Sequence, residues 1–116
     1  MTEQPISDAP PGNSPEDAVR GAQELHLADS VAAAVLLVPG VSRLHPGMFG
    51  EVATYLPGRR VIGVQIRDDV TAIHVVLEWG YDIADATDHI RSTTAPLVGT
   101  PVDITVQDLA EPTDSI

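Results

Sequence analysis

At 116 residues the chain has room for one domain and a single core. Its formal net charge is −11, all six cations are Arg and none is Lys, a balance that argues against neutralising nucleic-acid phosphates or clinging to anionic lipid. There is no Cys, which excludes disulfides, thiolate metal sites and Cys nucleophiles and fits a reducing, cytoplasmic setting.

Residues 1–19 are rich in Pro, Ser, Asp, Glu and Gly. They read as a disordered acidic tail, because such a segment buries too little apolar area to offset its ordering entropy. They have neither the cationic start nor the apolar run of a signal peptide. From Arg20 to Val38 the pattern is helical: Leu25, Ala28, Val31, Ala32, Val35 and Leu36 recur at spacings of three and four. The longest apolar run, residues 31–38, is too short to span a bilayer, so direct membrane insertion is not expected. Pro39 and Gly40 stop the helix.

Residues 41–44 suit a short strand, and His45-Pro46-Gly47 a turn. Residues 48–56 fit either a short helix or an irregular strand, and Pro57-Gly58 is a second turn. Ile62, Val64 and Ile66 then alternate with Gly63, Gln65 and Arg67, which predicts a half-buried strand. Asp68 and Asp69 make a two-residue link, since Asp tolerates the backbone angles of such turns. Thr71, Ile73, Val75, Leu77 and Trp79 alternate with Ala72, His74, Val76 and Glu78 in a second, longer strand. The pair predicts an antiparallel hairpin.

Asp82 is a helix N-cap and Asp85 suits the first turn. Ile83, Ala86, Thr87, Ile90 and Thr94 share one face of that second helix, which Pro96 and Gly99 close. Val102, Ile104 and Val106 alternate in a last strand, and residues 110–116 read as a flexible tail. The order predicts an α+β two-layer sandwich over residues 20–109. Two helices pack on one face of a three- to four-stranded mixed sheet.

Four segments resemble the alkaline-shock-protein (Gls-type) envelope stress response family. Residues 31–41 (VAAAVLLVPGV) are similar to that family's first helix and its valine-proline-glycine-valine turn. Residues 63–66 with 72–83 (AIHVVLEWGYDI) are similar to its hairpin and the aromatic-glycine step that follows. Residues 87–94 and 102–109 (VDITVQDL) are similar to its second helix and last strand. Residues 45–60 match poorly, Trp79 precedes the glycine where members often carry Tyr, and the second helix is shorter than theirs usually is. The resemblance implies a cytoplasmic protein that self-associates or binds another protein, including a small membrane-anchored tether. It brings no catalytic residue, cofactor or metal with it.

The chemistry-bearing residues give little else. Asp85 and His89 share a helix face, but a divalent ion needs three or more converging ligands. A small-ligand or divalent-metal module around His74 or the Asp85–His89 pair is the alternative reading. No nucleophile elbow surrounds any Ser, and no phosphate loop is present. An enzyme is not expected. The best lead is the sheet face turned away from the helices, lined by Gln65, Ala72, His74, Val76 and Thr105. It is mildly apolar and sparsely charged, as an interface would be. Trp79 either caps the core or stands exposed at the sheet end as an anchor, and Tyr81 carries the same pair of readings.

Overall fold

The computed structural model describes residues 15–111, with side chains from residue 26. The elements are α1 (Pro15–Leu36), β1 (Val41–Leu44), β2 (Ala53–Leu56), β3 (Arg59–Ile62), β4 (Val64–Ile66), β5 (Thr71–Glu78), α2 (Ile83–Val98) and β6 (Val102–Ala110). The architecture is the α+β fold expected. Two element ends differ from the sequence reading. Helix α1 opens at Pro15 rather than Arg20, because proline lacks only an N–H that has no partner in a first turn. Strand β6 runs on to Ala110, so only residues 112–116 of the expected C-terminal tail, like residues 1–14 of the N-terminal one, lie outside the described residues.

The central strand is β5. It pairs in parallel with β6 along one edge and antiparallel with both β1 and β4 along the other. Strands β1 and β4 lie end to end: Leu44 faces Val75, and Val64 faces Ile73. His74 sits between them and ties both ends together. Its C=O accepts from the His45 N–H at 2.9 Å, and its N–H donates to the Gly63 C=O at 2.9 Å. One edge is therefore a composite strand, from which residues 45–62 leave and to which they return.

Gly63 makes this junction possible. Its φ is +82°, and a Cβ there would stand 2.7 Å from Leu44 Cβ and 2.9 Å from His74 O. The expected continuous strand through Ile62, Val64 and Ile66 is thus broken at Gly63. Ile62 belongs instead to the β2–β3 hairpin, where it pairs with Ala53. That hairpin settles residues 53–56 as strand. It turns at Pro57-Gly58 and leans on α1: Arg59 donates to Asp29 at 2.9 and 3.2 Å, and Val61 joins the core.

Both helices cover the same face of the sheet. Ala28, Val31 and Val35 of α1 and Ala86 and Ile90 of α2 pack on Val64, Ile73, Val75, Leu77 and Val102. Two bulges keep the flanking strands in phase with this core. Ser42 and Gln107 are the extra residues at the register shifts opposite β5. They turn Leu44 and Leu109 to the core side in place of Arg43 and Asp108.

Asp82 caps α2, accepting from the Asp85 N–H at 2.9 Å. The helix continues through Pro96 to Val98, where Pro96 was expected to help end it. So near the C-terminus the missing N–H removes one backbone bond, and Gly99 at φ +71° makes the stop, donating to Ala95 O at 3.1 Å. The β4–β5 link runs over residues 67–70 with Asp68 and Asp69 at its tip, and Arg67 N–H donates to Val70 O at 3.0 Å. Neither Asp68 nor Asp69 adopts positive φ.

Candidate functional site

The sheet face away from the helices carries most of the residues singled out from the sequence. In register, Gln65 lies beside Ala72, and His74 beside Thr105; all four are half-buried. Two of their polar atoms have partners within the face. His74 Nδ1 is 2.7 Å from Gln107 Oε1, and Arg67 donates to Gln65 Oε1 at 2.8 Å. Val76 departs from expectation. It was expected to be an accessible outward residue, yet it is 0% exposed. It lies on the middle strand between Arg43 and Asp108, with a bulge beside each partner.

The loop over residues 45–52 is held by its own bonds next to His74. Gly47 N–H donates to His45 Nδ1 at 2.9 Å, Phe49 N–H to Glu51 Oε1 at 3.0 Å, and Val52 N–H to Pro46 O at 2.8 Å. Backbone N–H groups of Glu51 itself and of Phe49 hold the Glu51 carboxyl below its ordinary range, with smaller contributions from His74 and His45. The loop presents Phe49, 88% exposed, and Met48 outward.

The end of the sheet holds the aromatic pair. Trp79 follows the last residue of β5 and donates its N–H to Ala110 O at 2.7 Å. Its backbone still follows the sheet, but the side chain is 63% exposed. Tyr81 lies against Gly40, where a Cβ would stand 2.8 Å from the ring. Glu78 N–H donates to Gly40 O at 2.7 Å, which fixes the α1–β1 turn beside this ring. Trp79, Gly80, Tyr81, Asp82, Ile83 and Leu109 line an open cleft of about 420 Å³. A smaller cleft of about 220 Å³ shares Tyr81 and Asp82 and adds Pro39, Asp85, Ala86 and His89.

Several residues here were not legible as surface. Ile83 was expected on the core face of α2 and Leu36 on that of α1; both are about half exposed, and Leu37 is 83% exposed. Leu36 is the last residue of α1 and Leu37 follows it, both between the buried Val35 and Val38, and Ile83 is the first residue of α2. Met48 and Phe49 were hidden in a segment without clear periodicity.

Asp85 and His89 do line one cleft, but His74 lies on the other side of the sheet. Among the described residues no group of three His, Asp or Glu side chains converges as a metal site would require. Among the same residues no helix is long and apolar enough to cross a membrane. Compared with known proteins, the chain matches no family model, no curated protein and no solved structure.

Proposed function

We propose that this chain is a non-catalytic assembly module similar to the envelope (alkaline) stress response proteins, acting by association with itself or with another protein. The observation that carries the reading is the exposed Trp79 on an open cleft, with Tyr81 and Ile83 beside it. Tryptophan and tyrosine are among the side chains most enriched where protein interfaces concentrate their binding energy. Leu37 adds apolar surface at the end of α1. The open sheet face is a poorer anchor than its sequence suggested, since Val76 is buried and the His74 and Gln65 polar groups are already paired. The mechanism is burial of the aromatic end on association.

Light scattering after size-exclusion chromatography, over a range of concentrations, tests this. The expected result is a mass that grows with concentration for the full chain and stays monomeric for Trp79→Ser. A wild-type monomer throughout removes self-association. A Trp79→Ser bait that captures the same proteins from lysate as wild type removes the aromatic end as the contact.

A further inference from the structure

Two histidines meet at the junction of β1 and β4, where the His45 N–H donates to the His74 C=O at 2.9 Å. Their rings are bonded in opposite senses. His74 Nδ1 is 2.7 Å from Gln107 Oε1. An amide oxygen only accepts, so this Nδ1 carries a proton, and the bond is the same for the neutral and the charged ring. His45 Nδ1 instead accepts from the Gly47 N–H at 2.9 Å. That bond needs the lone pair on Nδ1, which only the neutral ring offers, with its proton on Nε2. A second proton on His45 sets two N–H donors face to face.

The consequence reaches the backbone. Gly47 is buried, and a buried N–H left without an acceptor bears its full desolvation cost. The Glu51 carboxylate rests against the same residue, since a Cβ on Gly47 would stand 2.7 Å from Oε2. Only movement of the loop tip gives the freed N–H access to water. The neck of the loop stays closed, because Val52 N–H to Pro46 O and Gly63 N–H to Val52 O, both 2.8 Å, join backbone groups that do not titrate. The part left to move is residues 47–51, which carries Met48 and Phe49, 79% and 88% exposed. The charged and titratable groups around His45 come from four strands and the loop. Glu51 lies on the loop, its carboxyl under the influence of both His45 and His74. Arg43 is on β1 and His74 on β5; Arg67, after β4, is turned to Gln65, and β6 brings the neutral Gln107. The Glu51 carboxylate gives a charged His45 a partner in place of the Gly47 N–H.

We propose that His45 is a proton-operated latch on this loop. Neutral, it holds the Gly47 N–H and the closed tip; charged, it releases Gly47, and residues 47–51 open and present Met48 and Phe49 differently. Imidazole is the side chain whose charge changes between about pH 5 and 8, so acidification over that range is the signal. The latch goes beyond the association reading above and does not depend on it.

Asparagine separates the proton from the bond. Its Oδ1 takes the place of Nδ1, accepts from the N–H two residues on and does not titrate. Nuclear magnetic resonance of the full chain reads the Gly47 amide shift and its protection from exchange at about pH 8 and about pH 5. In the wild type the amide is expected to shift at the lower pH and to lose protection roughly threefold to tenfold, as for one hydrogen bond. In His45→Asn both are expected to stay constant. If His45→Asn does not fold, as circular dichroism would report, His45→Ala replaces it and is expected to lack the Gly47 protection at both pH values. A wild-type Gly47 amide unmoved by pH overturns the latch. So does His45→Asn responding like wild type, or His45→Ala keeping wild-type protection at the higher pH.

Discussion

Gly63→Ala is expected to be among the most damaging single-methyl additions to this fold. At φ +82° an L side chain costs about 1–2 kcal/mol in backbone strain. The new methyl would also stand 2.7 Å from Leu44 Cβ, 2.9 Å from His74 O and 3.0 Å from His45 N. Two of those three atoms are backbone and belong to the junction that holds β1 and β4 in line. Moving them weakens the His45–His74 and His74–Gly63 bonds, at about 1 kcal/mol each. The sum is ~2–4 kcal/mol, which for a domain of this size lowers the melting temperature by on the order of 15 °C. Gly58→Ala is the control. Gly58 has φ +76° with nothing within 4 Å of its added Cβ, so only the backbone strain applies. Urea titration followed by circular dichroism measures both. If Gly63→Ala costs no more than Gly58→Ala, the composite-strand account is wrong.

Three further outcomes follow from other parts of the fold. Val76→Lys is expected to cost roughly 3 kcal/mol, since it puts an ammonium at a fully buried site; a urea midpoint within error of wild type would show that Val76 is accessible. Asp82→Ala is expected to cost about 1 kcal/mol through loss of the α2 cap, with Asp82→Asn nearly neutral, and equal losses in the two variants would contradict a capping role. The Glu51 carboxyl is held below its ordinary value of 4.5, so it stabilises the fold above about that pH and loses its effect as pH falls through its lower folded value. The stability gap between wild type and Glu51→Gln should therefore be present at pH 6 and shrink below pH 4.5; a gap that persists to pH 3 would mean that the carboxylate is not its source.

Much of the fold is written in local pattern. The alternation of Thr71, Ile73, Val75 and Leu77 gave the buried face of β5, because a strand between two neighbours has its side chains sorted by period two alone. Asp82 and Gly99 marked the ends of α2, because caps act through adjacent residues. What escaped depends on contacts between distant segments. Ile62, Val64 and Ile66 alternate as one strand, yet Gly63 divides them between two sheets, and only the approach of Leu44 and His74 makes that glycine necessary. The bulge at Gln107 leaves a faint trace in the step from Val106 to Leu109, three residues apart, but its effect on Val76 needs both flanking strands in place. The candidate site was half legible. Trp79 and Tyr81 drew notice as residue types. Phe49 did not, because its exposure comes from a loop folded on His45 and Glu51 rather than from any periodicity.

The central claim is that this chain works by burying the Trp79 surface against another protein surface. Trp79 is the only tryptophan, so its emission reports that surface without labelling. The measurement is the emission maximum and iodide quenching of the full chain over a dilution series from about 100 µM to 100 nM. The account predicts a blue-shifted, protected tryptophan at high concentration that shifts red and becomes quenchable on dilution. A wild-type tryptophan equally red and quenchable at every concentration would contradict burial of Trp79 against a second copy of the chain.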